Sequence, residues 1–188
     1  MLDAGATIED PLLQAVLLDD EAAVGRLVKT SRQNLTRKLY PRCAYTSCNG
    51  VSALHVCAEF NSVRSAAALI DAGAGIDSRA DVDADGLDGQ TPLFHAVNSN
   101  QNHCRPVMEL LVDAGAELGV RLKGLILGAG FDWETVVFAV TPISLAQCGL
   151  YRQFHREEAD IYGGTAYMCR KRYGTVPQIR NVPNRYLS

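Results

Sequence analysis

At 188 residues, with 47% hydrophobic side chains and a formal net charge of −3, the chain can bury a continuous core and is too apolar to remain an unfolded polymer. No apolar run approaches the roughly 20 residues of a membrane-spanning helix, and the N-terminus lacks the basic-then-apolar order of a signal peptide. The expected class is a soluble, cytoplasmic protein.

The chain opens on a tetrapeptide, Asp3-Ala4-Gly5-Ala6, that returns as Asp71-Ala72-Gly73-Ala74 and Asp113-Ala114-Gly115-Ala116, each time after an apolar residue. Next comes Pro11-Leu12-Leu13-Gln14-Ala15-Val16, followed by Val24, Leu27 and Val28 at helical spacing. This pair of predicted helices starts near Glu9. An irregular stretch over 30–50 leads to Gly50-Val51-Ser52-Ala53-Leu54-His55-Val56-Cys57-Ala58, and the second glycine-alanine turn closes the helix after it. An acidic loop over 77–89 then precedes Gly89-Gln90-Thr91-Pro92-Leu93-Phe94-His95-Ala96-Val97. Between this helix and the turn at Gly115 a few residues around Gln101 and Arg105 are inserted. The segment 117–140 is long, and Thr141-Pro142-Ile143-Ser144-Leu145-Ala146 opens another helix. The tail after Gly174, with Pro177 and Pro183, reads as extended or disordered.

A Thr-Pro turn opening one helix and a Gly-Ala turn about 20 residues later closing a second, in units of about 33 residues, resembles the ankyrin repeat. Gly5 and Gly73 stand close to two such units apart, so one repeat lies between them. The resemblance implies an all-α solenoid of stacked helix-turn-helix pairs with long connecting loops. Its repeats fall near 7–48, 49–77, 88–118 and 140–162, with a half-repeat over 1–6, a C-terminal helix over 162–173 and a basic tail over 174–188. Residues 1–6 are either the end of a longer array or an N-terminal cap. The implied function is a non-catalytic protein-binding module.

Within that frame Ser52, Thr91 and Thr141 are expected to cap first helices, with Pro92 and Pro142 where an absent N–H costs nothing. Gly73 and Gly115 are expected to end second helices in the left-handed conformation. The resemblance gives His55 a structural role, bonding the neighbouring turn. Cys57 stands where the repeat has alanine, and all six cysteines are expected to be reduced.

The loops are individual to this chain. Asp81-Val82-Asp83-Ala84-Asp85-Gly86 matches the opening half of a calcium loop, but the twelfth position from Asp81 is Pro92 rather than a bidentate glutamate. A solvated acidic loop is expected, with calcium on Asp81, Asp83 and Asp85 as the alternative and no other cofactor. The 124–141 segment holds Trp133, the single tryptophan, with Phe131 and Phe138. Its aromatics are either interface anchors or a small core folded over the helices. Gly128 and Gly130 lack the third glycine and following lysine of a phosphate loop.

Basic residues gather at Arg26, Lys29, Arg32, Arg37, Lys38 and Arg42, and again from Arg170 to Arg185, which leaves the remainder acidic. Such segregation suits the steering of an acidic partner. Nucleic acid is not the expected partner, since stacking aromatics do not interleave the basic residues and the pI is about 5.8. No catalytic constellation emerges. Cys148 and His155 lack an orienting third group, and Cys43, Cys48, His55 and Cys57 match no zinc-finger spacing. Because the loops and first helices of such arrays share one side, partner contacts are expected at Arg79, Asp83, Asp88, Asn98, Phe131 and Trp133.

Overall fold

The computed structural model describes residues 8–43, 46–97, 99–128, 131–132, 134–147 and 158–176. In chain order the elements are α1 (Pro11–Leu17), α2 (Glu21–Thr30), α3 (Ala53–Phe60), α4 (Val63–Asp71), α5 (Pro92–Val97), α6 (Arg105–Asp113), β1 (Leu122–Leu127), β2 (Thr135–Val140), α7 (Pro142–Gln147) and α8 (Glu158–Tyr173). The first Asp-Ala-Gly-Ala lies outside the described residues.

Each helix pair is fixed by local chemistry. Asp10 accepts the backbone N–H groups of Leu12 and Leu13, with Pro11 at the first helical position. Asp20 caps α2 through Ala23 N. Asp19, in the turn between them, has a φ of 51° and reaches the next pair, accepting Ser65 N at 2.7 Å at the start of α4. Burial works against its charge, but this bond and those from Arg64 hold its carboxyl below the usual range.

Both described Gly-Ala turns close in one way. Gly73 and Gly115 have φ values of +88° and +97°, and the following alanine N–H returns to Leu69 O at 2.9 Å or Leu111 O at 3.0 Å. Nothing lies within 4 Å of a Cβ built on Gly115, so a side chain there meets only backbone strain. Gly115→Val is therefore expected to destabilise the protein by about 1–2 kcal/mol in urea unfolding. An unchanged midpoint would remove the left-handed terminus from this account.

The helix pairs stack in two rows. First helices pack α1 on α3, α3 on α5 and α5 on α7, while second helices pack α2 on α4, α4 on α6 and α6 on α8. Equivalent first-helix positions carry Ala15, Cys57, Ala96 and Ala146, all buried, so the helices approach closely. Cys57 thus occupies the alanine site, and burial raises its thiol pKa.

One expectation is corrected. The fold is not all-α, because β1 and β2 form an antiparallel hairpin with Gly124 opposite Phe138 and Ile126 opposite Val136. The β-branched and aromatic run Thr135–Val140 favours an extended chain. One face of the hairpin carries Leu125, Leu127 and Val137 onto the core. The C-terminal helix α8 runs from Glu158 to Tyr173. Its Gly163 and Gly164 face Arg105 and Met108 of α6. No helix among the described residues is long and apolar enough to cross a membrane.

Candidate interaction surface

The connections between pairs form three fingers joined edge to edge by backbone hydrogen bonds. In the first, Leu39 and Val51 exchange bonds of 2.7 and 2.9 Å; Asp81 N donates to Asn49 O at 3.0 Å and ties on the second. The second is a small hairpin, with Asp83 N donating to Leu87 O at 3.1 Å, and Asp88 N donates to Gly124 O at 3.0 Å to join the third. That third finger is the β1–β2 hairpin. Shared bonds of this kind keep the row rigid, as a binding surface requires.

Most of the acidic loop builds this row. The Asp81 carboxylate folds over Gly50, where a Cβ would collide with it, and meets Lys38 Nζ at 3.2 Å and the Tyr40 hydroxyl at 3.2 Å. Asp83 Oδ1 accepts Asp85 N at 3.0 Å and Leu87 N at 2.8 Å. The Asp85 carbonyl accepts Lys123 Nζ at 2.5 Å. Among the described residues no three His, Cys, Asp or Glu side chains converge as metal ligands would.

The residues expected to touch a partner separate into different roles. Arg79 is exposed, and its carbonyl accepts Lys38 Nζ at 2.6 Å. Asp88 is drawn inward to Ser47 and the Ile126 amide; burial raises its pKa. Phe131 is exposed at the tip of the third finger. Asn98 and Trp133 lie outside the described residues, as do Cys148 and His155. Sequence reading passed over the outward face of the third finger, where Phe138 is 70% exposed and Val136 38% exposed. Their spacing of two along a strand was the available signal.

Beneath the fingers lies a buried polar node. Glu59, at the end of α3, accepts from Cys43 Sγ at 3.2 Å and Thr46 Oγ1 at 3.1 Å through Oε1, while Oε2 meets His95 Nδ1 at 2.8 Å. Burial opposes its charge, but His95, Cys43 and Thr46 together hold the carboxyl below its ordinary range. An ionised carboxylate only accepts, so His95 Nδ1 carries the proton.

His55 takes the expected structural role. Its Nδ1 accepts Ser52 N–H at 3.1 Å and its Nε2 donates to Gln90 O at 3.0 Å, across to the next repeat. Burial and the nearby His95 ring hold its pKa down to about 3, so it stays neutral. In the next pair Phe94 stands at the matching position, and the Thr91 hydroxyl has no partner among the described residues. Ser144 restores a reciprocal cap, receiving Thr141 N on its Oγ at 2.8 Å while its own N–H reaches Thr141 Oγ1 at 3.2 Å.

Stacked helix pairs, left-handed glycine closures and a histidine bridging neighbouring turns have a sequence counterpart. The family model for ankyrin repeats, in three copies, matches residues 12–121. The chain belongs to the ankyrin repeat family. A search of curated proteins finds no match. Ankyrin repeats are in general protein-protein interaction modules, and the family is typically non-catalytic.

Proposed function

We propose that this ankyrin protein is a non-catalytic binding module that holds another protein on its finger side. The supporting observation is the third finger, which turns Val136 and Phe138 to solvent from a hydrogen-bonded hairpin. A monomeric protein exposes large apolar groups together where something is to cover them. The opposite end of the helix pairs, where Leu18 lies in the α1–α2 connection, is the natural control. A calcium-responsive reading of the acidic loop has less support, because Asp81 and Asp83 are already engaged by Lys38, Tyr40 and the loop's own amides. A reducing, cytoplasmic setting fits this reading, since Cys48, Cys57 and Cys104 are buried free thiols.

The test is affinity capture with the whole chain, its Val136→Ser, Phe138→Ser double variant, and Leu18→Ser. A partner held by wild type and Leu18→Ser, but retained roughly tenfold less by a folded double variant, is the expected result. Equal retention by the double variant would move the interface off the fingers.

A further inference from the structure

The first finger holds two cysteines over the buried Glu59 carboxylate. Its chain folds back on itself at the antiparallel bridge between Leu39 and Val51, which brings Cys43 and Cys48 together from opposite arms. Both are thiols; Cys48 belongs to the core and Cys43 packs against it. Cys43 donates its S–H to Glu59 Oε1 at 3.2 Å. With that proton committed, the hydrogen bond between the two cysteines runs from the Cys48 thiol to the Cys43 sulfur. The two sulfurs are thus in contact, as they must be for one to attack the other and close a disulfide.

Access and charge give the pair an order of reaction. Cys43 is half-buried and Cys48 is 5% exposed, so a reagent from solvent meets Cys43 first. Cys57 and Cys104, at 0% and 1% exposed, are closed to it. The attacking species is the thiolate. The bond to Cys43, burial and the Glu59 charge all raise the Cys48 pKa. Ionising Cys43 would set a second negative charge 3.2 Å from Glu59 Oε1. Glu59 therefore keeps both sulfurs protonated at rest.

We propose that Cys43 and Cys48 are a redox modification site, closed to a disulfide by a low-molecular-weight disulfide of the glutathione class and restrained by the Glu59 carboxylate. The Cys43 thiolate attacks one sulfur of the reagent, forming a mixed disulfide and expelling one thiolate. Cys48 then attacks the Cys43 sulfur, forming the protein disulfide and expelling the second. Two protein thiols are oxidised, one reagent disulfide is reduced to two thiols, and these carry off both protons. Closure withdraws the Cys43 donor from Glu59 Oε1 and leaves Thr46 as the bond from this finger to the carboxylate.

The experiment treats the full folded chain with oxidised glutathione, then denatures it, alkylates the remaining thiols and reads the tryptic peptide 43–64 by mass spectrometry. That peptide also contains Cys57, whose protection reports that each variant is folded. In wild type it should lose both thiol hydrogens of the pair, carry no glutathione and be alkylated at Cys57. Cys48→Ala, which has no resolving thiol, should retain glutathione on Cys43. Cys43→Ala should leave Cys48 unmodified. Glu59→Gln keeps an acceptor but removes the charge, so closure should run several-fold faster while Cys57 stays protected. No closure in wild type, a lasting glutathione adduct on its Cys43, a disulfide to Cys57, or Cys57 reacting as fast as the pair would each overturn the proposal. An unchanged rate in folded Glu59→Gln would overturn the restraint assigned to the carboxylate, and the proposal with it.

Discussion

Replacing Glu59 by leucine is expected to destabilise the protein by about 2–4 kcal/mol, the cost of leaving buried donors without their acceptor. The side chain is 11% exposed and binds two elements, Cys43 and Thr46 of the first finger and His95 of α5. Leucine would leave the Thr46 hydroxyl and the His95 Nδ1–H without their acceptor. Glu59→Gln keeps an acceptor for one of these groups and should cost roughly half as much. The pH dependence has a definite sign, because the carboxyl titrates lower in the folded chain than in the unfolded one. Its stabilising contribution is complete above the ordinary carboxylate pKa of about 4.3. It declines as pH falls through the depressed folded value. Urea unfolding of wild type and Glu59→Gln should therefore converge as the pH is lowered. A constant difference between them from neutral pH into the acid range would remove the charge from this role.

Phe94→Ala should cost about 3–5 kcal/mol, because Phe94 is among the largest fully buried side chains and belongs to α5, which packs against α3 on one side and α7 on the other. Its position in the repeat is that of His55 in the preceding pair, so the core gains a ring at the expense of the Thr91 hydrogen bond. Restoring the pattern with Phe94→His would pair Thr91 while removing apolar volume. It should remain less stable than wild type, since burying a phenyl ring outweighs one hydrogen bond of about 1 kcal/mol.

Helix pairs and their closures were legible in the sequence because their determinants are local. Pro11 after Asp10, Thr141 with Ser144, and the glycines at 73 and 115 each act on residues within one turn. The hairpin at 122–140 was not legible. Its Leu-Ile-Leu and Val-Val-Phe runs lie where the repeat ordinarily has a short turn, and part of the support for β1 comes from Asp88, remote in sequence. The same distance concealed the Glu59 node, whose members at 43, 46, 59 and 95 meet only after the repeats stack. A glutamate following the buried stretch Leu54 to Ala58 was its one trace. Asp88 read as an exposed charge, but the bonds to Ser47 and Ile126 turn it into a joint between fingers.

The central claim is that partners engage the fingers and leave the far turns free. Hydrogen exchange on the chain with and without a captured partner tests it directly. New protection confined to 81–89 and 122–140, with the turns at 18–20 and 61–62 exchanging as before, is the predicted result. Protection of those turns with the finger amides unchanged would contradict it.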